Sequence, residues 1–148
     1  MKWLPDVNLL VALVSSAHVH HAAAQAWFAA SARQGWSTTP LTELGLLRIV
    51  CQPSATDDPL TWPEALDLLR QIKAHPHWCF VEAGAPAEQV LEAMQVQGHH
   101  QINDAYLFGL AAQQRMMIAT LDKGFGSLLK RGDKRRANLH ILPAAVQH

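Results

Sequence analysis

The chain predicts an α/β domain with a central, mainly parallel sheet of four or five strands and helices on both faces. Three observations carry this reading. Short apolar segments alternate with helix-length runs throughout the 148 residues, as in a parallel sheet covered on two sides. Hydrophobic residues make up 49% and charged residues 16%, the composition of a folded globular chain. The length suits one domain with its own core, spanning residues 1–148.

The elements follow in order. Trp3-Leu4-Pro5 reads as a first strand, and residues 7–15 as a helix weakened at Ser15-Ser16. Residues 20–34 form a second helix, with Trp27 and Phe28 on its apolar side and a stop near Gly35. Residues 36–38 are a second strand. Thr39-Pro40 opens a helix to about Val50, because proline fits the first turn, where its missing N–H has no helical partner. After a loop over 53–59, Thr61-x-x-Glu64 is a capping box for a helix over 63–73. Residues 78–81 are a third strand and 86–97 a helix ending at Gly98. Residues 99–103 lead into a helix that Asp104 opens. Residues 116–121 form a fourth strand, 125–130 a short helix, and 140–142 a short edge strand. No repeat, low-complexity segment or linker interrupts the pattern.

No apolar run approaches the roughly 20 residues that span a bilayer. The start of the chain has no basic stretch before a long apolar run, so no signal peptide is expected. A cytoplasmic location follows, and Cys51 and Cys79 read as buried thiols in a reducing compartment. Twelve basic and twelve acidic residues balance, yet Lys123, Lys130, Arg131, Lys134, Arg135 and Arg136 put half of the basic residues in one C-terminal stretch. Such a stretch neutralises phosphates, or it is simply a solvated face.

Four acids share one setting. Asp6 follows the first strand, Glu43 lies in the first turns of a helix after Thr39-Pro40, Asp104 opens a helix, and Asp122 ends the fourth strand. Each has an ordinary reading as a cap, a dipole partner or a turn former. Taken together, strand ends and helix starts place them in the crevice where open α/β sheets bind ligands. Carboxylates gathered there repel one another. A hard cation, Mg²⁺ or Mn²⁺, relieves that repulsion through oxygen ligands and can activate water against a phosphodiester. Asn8 stands within reach of Asp6. Thr120 and Asp122 alternate along a strand end, so both can face one side. Arg48, five positions after Glu43, pairs with another acid, contacts a phosphate or lies on a solvated face.

Nine histidines make no zinc motif. The loop between the first two helices would place His18, His20 or His21 near the pocket to contact RNA, although a cap or surface role is the ordinary reading. His140 and His148 carry no signal. Trp3, Trp27 and Trp78 read as core, Trp36 suits the core, and Trp62 suits the surface.

The set of Asp6 with Asn8, Glu43 after Thr-Pro, Asn103-Asp104-Ala105, and Thr120-Leu121-Asp122-Lys123-Gly124-Phe125 resembles the PIN-domain family. More narrowly, it resembles the VapC-type toxins of bacterial toxin–antitoxin systems. The resemblance runs from Asp6 to about Leu142. It implies a three-layer α/β/α domain and a Mg²⁺- or Mn²⁺-dependent endoribonuclease. It further implies that Asp6, Asp104 and Asp122 face the metal, that Glu43 completes the pocket, and that Asn8 and Thr120 support it. A homodimer and a cognate antitoxin that blocks the pocket are also implied. Two other readings compete. One is a non-catalytic module that binds RNA or an antitoxin on the same fold. The other is a receiver-like domain with Asp6 as phospho-acceptor, which wants an acid where this chain has Asn8.

Overall fold

The computed structural model describes residues 1–143. Strands β1 (Trp3–Pro5), β2 (Trp36–Thr38), β3 (Trp78–Phe80), β4 (Met117–Thr120) and β5 (Leu139–Ile141) form one sheet in the order β3-β2-β1-β4-β5. Every pairing is parallel. β1 is central, with Trp3 opposite both Trp36 and Met117. Strand order therefore reverses at β1, and the crevice between β1 and β4 is the topological switch point of an open α/β sheet.

Six α-helices cross between the strands: α1 (Val7–Val14), α2 (His21–Ser31), α3 (Pro40–Val50), α4 (Trp62–Lys73), α5 (Ala87–Leu91) and α6 (Ile102–Gln113). They cover both faces. Ile118 and Ala119 are successive in β4 and point to opposite sides. Ile118 packs with Leu4, Phe108 and Phe125 under α6, whereas Ala119 packs with Leu9, Ala12 and Trp27 under α1 and α2. A third cluster, with Leu10, Trp36, Leu46 and Leu69, seats α3 and α4. The three layers are those expected.

Local sequence explains most boundaries. Thr61 and Glu64 form the capping box of α4, and Thr39 with Thr42 forms one for α3. Gly35, at φ 97°, stops the second helical segment in a conformation that favours glycine. The helix expected over 86–97 ends at Leu91 instead. Beyond it the backbone turns away: Gln95 N–H bonds Leu128 O, and Gln97 N–H bonds the Gln101 side chain. The segment after Asp122 is a 3₁₀ turn, Lys123–Leu128. Trp27 and Trp36 are buried and Trp62 is exposed, while Trp3 and Trp78 are half-buried. Both cysteines are free, but Cys79 is exposed and Cys51 half-buried; β3 is an edge strand, so its side chains are not covered on both faces. No helix among the described residues is long and apolar enough to cross a membrane. The end of the expected 1–148 domain, including His148, lies outside the described residues.

Candidate active site

Asp6 is set by β1 and α1 together. Its N–H donates to Ala119 O of β4 at 3.0 Å. Its Oδ1 caps α1 by accepting Leu9 N–H at 2.8 Å, and its Oδ2 accepts Thr120 Oγ1 at 2.6 Å. Asp6 is only 2% exposed. Burial pushes its carboxyl up to about 7; the bonds from Thr120 and Leu9 pull it down, and the charges of Asp104 and Asp122 push it up again.

Thr120 joins two of the acids. It is fully buried at the end of β4, donates to Asp6, and accepts Asp122 N–H at 2.9 Å. Asp122 then turns the chain by accepting Gly124 N–H on Oδ1 at 2.7 Å. A Cβ at Gly124 would stand 3.0 Å from that oxygen, so glycine leaves the carboxylate its place. Asp104 lies in the first turn of α6 and is not its cap; Gln101 holds the N-cap position, with no side-chain cap bond. Burial and the charge of Asp122 push the Asp104 carboxyl up to about 6.

The charges of Asp104 and Asp122 thus reach Asp6, and that of Asp122 reaches Asp104, across the β1–β4 crevice. Glu43 reaches the same edge of the sheet from the other side. The first turns of α1 and α3 are in close contact: a Cβ at Gly45 would come 2.5 Å from Val7 Cγ2. Yet Glu43 is not among the charges that shift Asp6 or Asp104. Its Oε2 accepts Thr38 Oγ1 at 2.7 Å, and its Oε1 pairs with Lys73 Nζ at 3.0 Å. Sequence reasoning missed Lys73, because the pair spans 30 residues and no local pattern announces it.

The donor chemistry fits a hard divalent cation. The groups are carboxylate oxygens, and two of the carboxyls, Asp6 and Asp104, are raised by burial and by neighbouring aspartate charges. In their present rotamers, no three His, Cys, Asp or Glu side chains among the described residues group tightly enough to hold one ion. Asp6 and Asp122 each direct one oxygen to a backbone N–H.

The other expected contributors divide. Asn8 is exposed in the first turn of α1 and makes no side-chain hydrogen bond among the described residues. Arg48 is exposed in the last turn of α3. Lys123, Lys130, Arg131 and Lys134 are exposed. Arg135 and Arg136 are engaged with the protein itself. Arg135 pairs with Asp133 at 2.8 Å, and Arg136 donates to the carbonyls of Gly126, Leu129 and Lys130. The His18–His21 loop follows the C-terminal end of α1, whereas Asp6 caps its N-terminal end, about 12 Å away along an eight-residue helix. The structure does not bring that loop to the acids. His21 Nδ1 is bonded to Ala12 O, and His18 Nδ1 accepts His20 N–H. Two surface grooves, one lined by Phe28, Trp36 and His75 and the other by Val11, Ile49 and Leu60, contain none of the four acids.

Fold and site together define an open α/β protein with an aspartate cluster at its topological switch point. Residues 4–129 match the PIN domain. The chain is 32% identical over 136 residues to Ribonuclease VapC38 of Mycobacterium tuberculosis, covering 92% of this chain and 96% of that protein. It is 35% identical over 130 residues to Ribonuclease VapC39 of the same species, covering 82% and 89%. In structure it is similar to VapBC2 from Rickettsia felis bound to a DNA fragment from their promoter, with a TM-score of 0.65, 12% identity, and 97% and 100% of the two chains covered. It is also similar to Mycobacterium tuberculosis VapC20, a sarcin-ricin loop cleaving toxin, with a TM-score of 0.63, 13% identity, and 84% and 92% covered. The chain belongs to the PIN-domain family, in its VapC-type branch.

Proposed function

We propose that this protein is a Mg²⁺- or Mn²⁺-dependent endoribonuclease, the toxin of a type II toxin–antitoxin pair. It works in the cytoplasm as a homodimer and is blocked by an antitoxin that covers the acidic pocket. One observation carries the reading: the link Asp6–Thr120–Asp122, with Asp6 and Thr120 buried and Asp104 adding its charge at Asp6, at the switch point of the sheet. The relatives named ribonuclease support the substrate class.

Asp6, Asp104 and Asp122 would hold the cation. When bound, it supplies charge stabilisation at a phosphoryl oxygen and makes water more acidic. Thr120 fixes Asp6 by donating to Oδ2. Glu43, held at both oxygens, accepts the proton of the attacking water. The water oxygen bonds to phosphorus as the P–O bond to the leaving ribose oxygen breaks, and that oxygen takes up a proton. Lys123, next to Asp122 and exposed, would neutralise an RNA phosphate in this reading.

The test is cleavage of bacterial RNA with Mg²⁺, with Mn²⁺ and with chelator. Cleavage that needs the cation and is lost in Asp6→Asn supports the proposal. RNA binding without cleavage in every condition means a non-catalytic binding module instead.

A further inference from the structure

Glu43 differs from the aspartates in that both of its oxygens are clamped by neighbouring side chains. Lys73 Nζ is 3.0 Å from Oε1, and the two side chains are only 28% and 13% exposed, so water screens this pair less than a surface pair. Lys73 is itself held. Its ammonium lies 4.9 Å from the Trp78 ring centroid and 5.4 Å from that of Phe80, within cation–π range. It ends α4, where the helix dipole favours a cation, while Glu43 starts α3, where the dipole favours an anion. On the other oxygen, Thr38 Oγ1 donates to Oε2 and accepts Trp78 Nε1 at 3.0 Å. Trp78 therefore supports both arms of the clamp.

We propose that Lys73 is a positioning residue for the ribonuclease reaction: it clamps Glu43 Oε1, so that this carboxylate faces the attacking water as proton acceptor and does not join the aspartates as a fourth cation ligand. The inference rests on the ribonuclease reading and assigns the division of labour within it. Asp104 and Asp122 act on Asp6, and Asp122 acts on Asp104, whereas Glu43, matched by its own cation, stands outside that set. Without Lys73, a fourth unmatched carboxylate would face the cation, and the proton acceptor would lose its fixed direction.

The experiment compares Lys73→Met, Lys73→Arg, Glu43→Gln and the double variant Lys73→Met/Glu43→Gln in the full chain, with total bacterial RNA as the probe. Lys73→Met should lower kcat at least about tenfold and move KM less than about twofold. Lys73→Arg should recover most of the loss. In the Glu43→Gln background, Lys73→Met should change kcat by less than about twofold. Without RNA, calorimetry should show Lys73→Met binding Mn²⁺ about threefold tighter or more, with a smaller gain in the Glu43→Gln background. Lys73→Gln repeats the comparison if the Met variant melts early. An unchanged kcat, a raised KM alone, or equal effects in both backgrounds overturns the role of Lys73 while wild-type cleavage stands. A wild-type chain that cleaves no RNA with either cation overturns the ribonuclease reading itself.

Discussion

At the scale of single residues, the site depends on who holds each carboxylate. Thr120 is buried and bonds both Asp6 and Asp122. Thr120→Val keeps its shape and removes both bonds, leaving Asp6 Oδ2 without its donor. The expected loss is about 1–3 kcal/mol in urea unfolding, together with weaker cation binding by calorimetry. Asp104 is different, because no helix cap depends on it. Asp104→Asn should reduce cleavage and cation affinity, yet melt no earlier than wild type in chelator, since it removes a repelling charge; a much lower Tm would mean a structural role. The same residue sets a pH dependence. In the folded chain Asp104 lies near 6 and Asp6 near 7, above the ordinary 3.8. Between these values the folded chain holds more protons than the unfolded one, so stability from both groups is full below 3.8 and falls as pH rises through about 6 and about 7. Urea midpoints in chelator should therefore show wild type losing ground to Asp104→Asn between about pH 4 and pH 6, with the gap levelling off above about pH 7.

At the scale of elements, the contact of α1 with α3 aligns the two sides of the pocket. Gly45 leaves the space that Val7 fills. Gly45→Ala should overpack this contact, cost about 1–3 kcal/mol, and reduce cleavage by shifting Glu43 relative to Asp6; denaturation and RNA assays on one preparation check both. The basic stretch divides in the same physical way. Lys130, Arg131 and Lys134 are exposed, whereas Arg136 ties down three carbonyls of the preceding turn. Changing the first three to Gln should raise KM and flatten the salt dependence of RNA binding with little change in kcat. Arg136→Ala should instead lower Tm, and an unchanged salt slope in the triple variant would move RNA to another surface.

At the scale of the whole molecule, the sheet and most helix starts were legible from the sequence because they rest on local rules. Alternating apolar segments, Thr39-Pro40, Thr61-x-x-Glu64 and Gly35 act within a few residues of themselves. What stayed hidden was non-local. The helix over 86–97 stops early because Gln95 bonds a distant carbonyl. Lys73 meets Glu43 across 30 residues, and only the folded turn separates the engaged Arg135 and Arg136 from the exposed Lys130, Arg131 and Lys134. The placement of β1 between β2 and β4 has a further consequence. Asp6 is synthesised well before its partner Thr120, which lies 114 residues later. A chain made only as far as α6 therefore carries Asp6, Glu43 and Asp104 but lacks Thr120 and Asp122, and a product truncated before β4 never acquires the link between them. Under the ribonuclease reading, a chain truncated before β4 cleaves no RNA, including the messenger on which it is made.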